Sequence, residues 1–203
     1  MTRRFPHGEV ITRQGDALTS LFLVTAGAVR LSSVTGAGRE VVVGILCPGD
    51  VFGEAALLGG PSPVGARAVG ETLVVALPLD AIRSLVQRHP ATAEELLRLI
   101  ATRLHRTSTA LQEALAGDLT SRVVGRLREL AEGHGVAGPT GVRLRVPLTQ
   151  EELGRMVGAS REAVNRTVRA LAARGVVRSK SSRFVITDMD ALEVGEDVLN
   201  PSR

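Results

Sequence analysis

The chain has one cysteine, no tryptophan, no tyrosine, four histidines and a single lysine in 203 residues. A lone thiol, Cys47, excludes a disulfide framework, an iron–sulfur cluster and a Cys-rich zinc site within one chain. The histidines, His7, His89, His105 and His134, form no ligand-spaced pair, so nothing supports a haem or other metal centre. Four phenylalanines are the only aromatics. So few stacking platforms argue against a binder of single-stranded nucleic acid. No apolar run approaches the roughly 18 residues of a membrane span. The N-terminal Met1-Thr2-Arg3-Arg4-Phe5-Pro6 lacks the apolar segment of a secretion signal. A cytoplasmic location with no membrane partner is therefore expected. There is no Ser/His/Asp or paired-carboxylate grouping on which to build an active site, so no enzymatic activity is expected.

What is present is arginine, unevenly spread. Residues 1–118 hold 11 Arg against 11 Asp+Glu and sum to zero, whereas residues 119–183 hold 13 Arg+Lys against 5 Asp+Glu and sum to +8. A neutral half followed by a basic one is the distribution expected of a C-terminal module that meets phosphates.

Along the chain, residues 8–80 read as short β-branched strands. They are Glu9–Thr12, Leu21–Val24, Ala28–Leu31, Val41–Leu46 and Thr72–Leu77, and the punctuation is Gly15-Asp16, Gly27, Thr35-Gly36-Ala37-Gly38 and Pro48-Gly49-Asp50. This spacing argues for an antiparallel sandwich or barrel. Gly49 to Pro63 reads as a turn with one short helical segment, either a crossover or a backbone cradle for an anion. From 91 to 116, Leu97, Ile100, Leu104, Thr107, Leu111 and Ala114 recur at spacings of 3-4-3-4-3, an a/d seam suited to pairing with a copy of itself. Gly117-Asp118 ends this helix, and Asp118 caps the next one, Leu119 to Glu132. Residues 133–141 read as a flexible loop before a short strand, Val142–Val146. The tail from 187 to 203 reads as peripheral with modest helical character.

The most informative stretch is 149–171. Thr149 with Glu152 three residues on is a capping box, Gly158 is a helix stop, and Ser160 caps a second helix. On that helix Val164, Val168 and Leu171 make one apolar stripe. Arg161, Glu162, Asn165, Arg166 and Arg169 lie around the rest. Gly154 is small where the two helices cross, and Leu153, Val157 and Ala159 fill the space with Val164. A helix that buries one stripe and offers arginines and a glutamate suits a DNA major groove, where Arg bonds guanine O6/N7 and Glu accepts from cytosine N4. Val176-Val177-Arg178, the turn Ser179–Ser182 and Arg183–Ile186 then form a basic-tipped hairpin. The module is thus a winged helix, with Arg178, Lys180 and Arg183 as phosphate contacts.

Taken together, Gln14-Gly15-Asp16, Gly27, Pro48-Gly49-Asp50-Val51-Phe52-Gly53-Glu54, Leu148–Gly154 and Gly158–Arg166 resemble the CRP/FNR family of bacterial transcription regulators over about Gly8 to Ile186. The Ser-Arg-Glu-x-x-x-Arg core, Ser160 to Arg166, matches the cyclic-AMP receptor branch. The resemblance implies an α+β chain: an antiparallel β jelly-roll over 1–90, a dimerisation helix and hinge over 91–118 carrying Leu97, Ile100, Leu104 and Leu111, and a winged helix-turn-helix domain over 119–203. It implies a homodimer on a palindromic TGTGA-like site, with Arg161, Glu162 and Arg166 reading bases, and Asn165 on the same helix is expected to read a base with them. Thr149, Ser160 and Arg169 would join the wing on phosphates. It also implies an activator touching RNA polymerase through the 133–141 loop.

For an effector the resemblance implies Gly53 and Glu54 at the start of a cyclic-nucleotide pocket, with Thr107 and Ser108 as adenine contacts across the dimer. The family's Arg-Ser-Ala at the pocket's end is not matched. Pro61-Ser62-Pro63-Val64-Gly65-Ala66-Arg67 stands there, and no placement puts Arg before Ser, which leaves Arg67 as the available substitute. The effector is therefore either absent or a cyclic nucleotide such as cyclic AMP. Two other readings compete: a cyclic-nucleotide-binding protein of another class (an enzyme or transporter accessory), and an architectural DNA binder indifferent to base sequence.

Overall fold

Alternating apolar residues make strands in the first half and 3.6-residue spacing makes helices after it, giving the α+β chain expected. The computed structural model describes residues 1–180 and 182–193, without the side chains of Arg106, Glu113, Ala116 and Glu193; Ser181 of the wing turn and the tail from Val194 lie outside the described residues. The chain divides into two compact units, Met1–Thr102 and Arg103–Arg203. The division falls inside the long helix, whereas the sequence places a boundary at 118.

In the first unit the strands are β1 (Thr2–Phe5), β2 (Val10–Thr12), β3 (Ser20–Val34), β4 (Glu40–Leu46), β5 (Val51–Phe52) and β6 (Gly65–Pro78). All pairings are antiparallel, in the order β1-β6-β3-β4 with β2 on β6 and β5 on β3. Inward residues of β3 and β6, among them Val24, Val29, Leu31, Ala66, Ala68 and Val74, form one core with Phe5, Leu46 and Phe52. The Phe22 and Phe52 rings stack with centroids 5.0 Å apart.

One expectation is corrected here. The segments 21–24 and 28–31 are one strand, β3, because Gly27 sits within it at φ 74° as an irregularity rather than a turn. A Cβ there would lie 2.1 Å from the Glu71 carbonyl oxygen, so only glycine lets β6 approach this closely. The first unit also holds a helix in a stretch to which the sequence analysis assigns no element. After β6 comes α1 (Leu79–Arg88), whose single buried side chain is Ile82.

Helix α2 (Ala91–Ala116) is continuous for 26 residues, about 39 Å at the standard rise. Leu97, Ile100, Leu104, Leu111 and Leu115 are 41–80 % exposed, an uncovered apolar stripe. Helix α3 (Leu119–His134) begins as expected: the Ser121 N–H donates to Asp118 Oδ1 at 2.8 Å. That amide, with the Ser121 hydroxyl and the Thr120 amide, holds the Asp118 carboxyl below its ordinary value near 3.8. A depressed carboxyl contributes stability above its unfolded pKa and loses it as pH falls through the folded one. Asp118→Ala should therefore cost about 1 kcal/mol at pH 7. The gap from the wild type should narrow as pH falls below the ordinary carboxylate range toward the lowered folded pKa, read by thermal melts over a series of falling pH.

The second unit contains α4 (Gln150–Val157), α5 (Arg161–Ala173), α6 (Asp190–Glu193) and the strands β7 (Gly135–Gly138), β8 (Gly141–Leu144), β9 (Val177–Lys180) and β10 (Arg183–Ile186). The strands form one antiparallel sheet, β7-β8-β10-β9. Residues 133–141 are thus not a flexible loop. They end α3 and pair as β7 with β8 around a tight turn at Pro139-Thr140. Nor is the start of the tail peripheral: Leu192 on α6 is buried, and α6 packs on α3.

Candidate nucleic-acid interface

The helical pair forms because its ends are specified by side chains. The Thr149 hydroxyl accepts from the Glu152 N–H at 3.1 Å, and the Glu152 carboxylate accepts from the Thr149 N–H at 2.8 Å, closing the capping box. Gly158 ends α4 at φ 68°, and the Ser160 hydroxyl accepts from the Ala163 N–H at 3.2 Å to start α5. Between the helices Leu153 and Val164 are fully buried, with Val157 and Met156 nearly so, each stabilising by about 1.5–3 kcal/mol. A Cβ on Gly154 would lie 2.7 Å from the Ala159 carbonyl oxygen, which is why the crossing needs glycine.

With Val164, Val168 and Leu171 buried, α5 has one free face. At about 100° per residue that face runs from Arg161 through Asn165, Arg169 and Glu162 to Arg166 within roughly 140°. Arg161, Glu162, Arg166 and Arg169 are all exposed. Glu162's own amide and the Ser160 hydroxyl donate to its carboxylate and hold its pKa below the ordinary value, with Arg161 and Arg166 adding to the effect. An ionised carboxylate is acceptor-only, as the amino group of cytosine requires. Asn165 differs from its neighbours on this face: its Nδ2 donates to Gln150 Oε1 on α4 at 2.6 Å. The Thr149 hydroxyl, expected to meet a phosphate, is engaged with Glu152 both as acceptor and, at 2.8 Å, as donor.

The wing carries more charge than its tip. Arg183 pairs with Lys180, while Val185 pairs with Arg178 on one side and Arg143 on the other. Directly opposed residues share a face, so Arg143, Arg178, Lys180 and Arg183 stand on one side of the sheet. Arg145 continues the alternation, its N–H donating to the His134 carbonyl at 3.2 Å. All five are exposed, and none has an ion-pair partner among the described residues. The opposite face is apolar, with Leu144, Phe184, Ile186 and Val177 buried. Sequence reasoning missed Arg143 and Arg145. Their signal was the alternation Arg143-Leu144-Arg145-Val146, but only the register reveals their neighbours.

In the first unit, Gly53 at φ 86° caps a short 3-10 helix, Glu54–Leu58, and Glu54 is half-buried. Beyond it Ser62 is buried, its hydroxyl donating to the Val64 carbonyl at 2.7 Å. Val64 packs against the core that contains Ala66 and Ala68. Arg67 lies on the other face of β6, exposed, its guanidinium donating to the Gly8 carbonyl at 2.6 Å. The inward side of this segment is therefore apolar where a phosphate would want a cation. On α2, Thr107 and Ser108 are exposed, and the Thr107 hydroxyl donates to the Arg103 carbonyl one turn back at 2.9 Å.

Residues 2–89 match the cyclic nucleotide-binding domain model, and residues 121–194 match the Crp-like helix-turn-helix domain model. A CRP-like cAMP-activated global transcriptional regulator of Mycobacterium tuberculosis is 34% identical over 189 residues, 93% of this chain and 84% of that protein. Among solved structures, FixK2 from Bradyrhizobium japonicum superposes with a TM-score of 0.83 at 22% identity over 96% of each chain, a likeness of fold. A CRP/FNR-family transcriptional regulator from Thermus thermophilus gives 0.75 at 26% identity over the whole of both chains.

Proposed function

Because this chain belongs to the CRP/FNR family of DNA-binding transcription regulators, which are not enzymes, we propose that it acts as a homodimer on a palindromic TGTGA-like site and activates transcription from there. The observation that carries the proposal is α5: one fully buried stripe opposite an exposed Arg161, Glu162 and Arg166. Arg161 and Arg166 read guanines and Glu162 a cytosine. Arg169, Arg178, Lys180 and Arg183 hold phosphates, together with Arg143 on the face of the wing and Arg145 just beyond the end of β8. The exposed stripe of α2 is the surface that meets the second copy. Two recognition helices then enter successive major grooves about 34 Å apart. The β7–β8 hairpin, which takes the place of the family's main activating loop, is the surface for RNA polymerase.

Phosphate and base contacts separate by salt. Arg178→Ala should weaken binding to every duplex alike and reduce the slope of log K against log salt by about 0.9 per site. Titration of cognate and scrambled duplexes at several salt concentrations reads both quantities. A change of base preference in this variant would refute the wing assignment.

On control, the apolar inward face at Val64, Ala66 and Ala68 and the outward Arg67 favour DNA binding without a nucleotide effector. A buried phosphate that lacks its guanidinium forfeits about 1.5–3 kcal/mol. The second reading, cyclic AMP control, draws on Gly53 and Glu54 and on the cAMP-activated relative. Stripped protein titrated with the palindromic duplex, with and without cyclic AMP, decides between them. Equal affinity supports the first reading. Binding only with the nucleotide establishes the second.

A further inference from the structure

Asn165 stands on the reading face between Arg161 and Arg169, yet its side chain bonds to the neighbouring helix. Its Nδ2 donates to Gln150 Oε1 at 2.6 Å across 15 residues of sequence, and both side chains are half-buried. This is the one hydrogen bond found for either side chain among the described residues. The acceptor oxygen of Gln150 is thereby fixed, and its two N–H donors remain uncommitted.

The rest of the first turn of α4 is engaged. The Thr149 hydroxyl donates to and accepts from Glu152, the Glu152 carboxylate caps the Thr149 amide, and the Glu151 carboxylate pairs with Arg155 at 2.7 Å. Gln150 therefore carries the uncommitted side-chain donors at this end of α4. In a docked helix-turn-helix the first helix crosses the DNA backbone, so what stands at this end is a phosphate.

Resting on the proposed mode of DNA recognition, we infer that Gln150 and Asn165 form a clamp. Asn165 is a positioning residue that holds the Gln150 carboxamide so that its N–H donates to a DNA phosphate, and Asn165 reads no base. The bond also ties the start of α4 to the middle of α5, fixing the reading helix relative to the phosphate that Gln150 holds. Gln150 is neutral, so the contact it makes releases no counterion. That sets it apart from every arginine contact on the surface.

The test uses the full chain, the palindromic TGTGA-N6-TCACA duplex, and a set of duplexes each changed at one symmetric base pair. Binding is read at several salt concentrations at a temperature where all variants are folded. Asn165→Ala and Gln150→Ala should each weaken binding roughly tenfold over the two half-sites. The loss should be equal on every duplex, with the salt slope unchanged. The double variant should be no weaker than Gln150→Ala alone. Exchanging the two residues, Gln150→Asn with Asn165→Gln, keeps the span of the bridge and should restore most of the affinity. A merely structural role would lower the melting temperature and leave the folded protein's affinity as it was, which overturns the clamp. Relaxed selectivity at one base pair in Asn165→Ala alone would make Asn165 a base reader and also overturn it. Failure of the wild type to prefer the palindrome over scrambled DNA is a different result, since it removes the recognition mode itself and the clamp with it.

Discussion

Placing aspartate at Leu97 and Leu104 should reduce affinity for the palindrome by about 10²- to 10⁴-fold, to that of an isolated half-site. Both leucines are 66 % exposed on α2, on the stripe with Ile100, Leu111 and Leu115. An exposed row of large aliphatic side chains at heptad spacing is what a pairing helix shows when its copy is absent. Carboxylates on both partners would face each other across the seam and must be desolvated there, so association fails. Neither position contributes to the core of either unit, so each unit should keep its melting transition. Sedimentation should give a monomer, and footprinting should lose the coupled protection of two half-sites. A variant that stays dimeric would locate the pairing surface elsewhere than α2.

The second large effect is on reading. Each good bidentate contact discriminates by about 1–3 kcal/mol, and a symmetric dimer makes it twice. Arg166→Ala should therefore lose about 2–6 kcal/mol on the palindrome, or roughly 30-fold or more. The loss should shrink on duplexes whose guanine at that position is already replaced. Glu162→Ala should act more on preference than on affinity. Its carboxylate is ionised and exposed, and removing it relaxes discrimination at one base pair of each half-site. Binding to a panel of single-substitution duplexes reads both variants. If neither Arg166→Ala nor Glu162→Ala alters any preference, the protein is an architectural binder and α5 is a basic surface only.

The helix-turn-helix was legible nearly residue by residue because its signals are local. A capping box needs only Thr149 and Glu152, a helix stop needs Gly158, and a second cap needs Ser160. The β-roll was legible in class but not in detail. In sequence, Gly27 looks the same whether it ends a strand or sits inside one, and only the approach of Glu71 to its backbone decides. Helix α1 went unseen although Pro78 precedes it and Leu79, Ile82, Leu85 and Val86 recur at helical spacing, a signal the sequence did carry. The glycine-rich segment after α3 looked like a loop, and becomes a strand because β8 offers it a ladder. At the interface, Arg143 joins the wing through register with Val185, and Asn165 meets Gln150 across 15 residues. Both depend on how elements meet in the fold, which residue spacing alone does not reveal.

The most direct measurement is equilibrium binding of the purified, nucleotide-stripped protein to a TGTGA-N6-TCACA duplex, to the same duplex scrambled, and to one half-site alone, at one fixed salt concentration. A specific dimeric reader should prefer the palindrome to scrambled DNA by at least about 10³-fold and to the half-site by about 10²-fold or more. The affinity order palindrome, half-site, scrambled should hold with cyclic AMP present. Equal affinity for palindrome and scrambled duplex, with and without cyclic AMP, would contradict the assignment of α5 as a reader of this sequence.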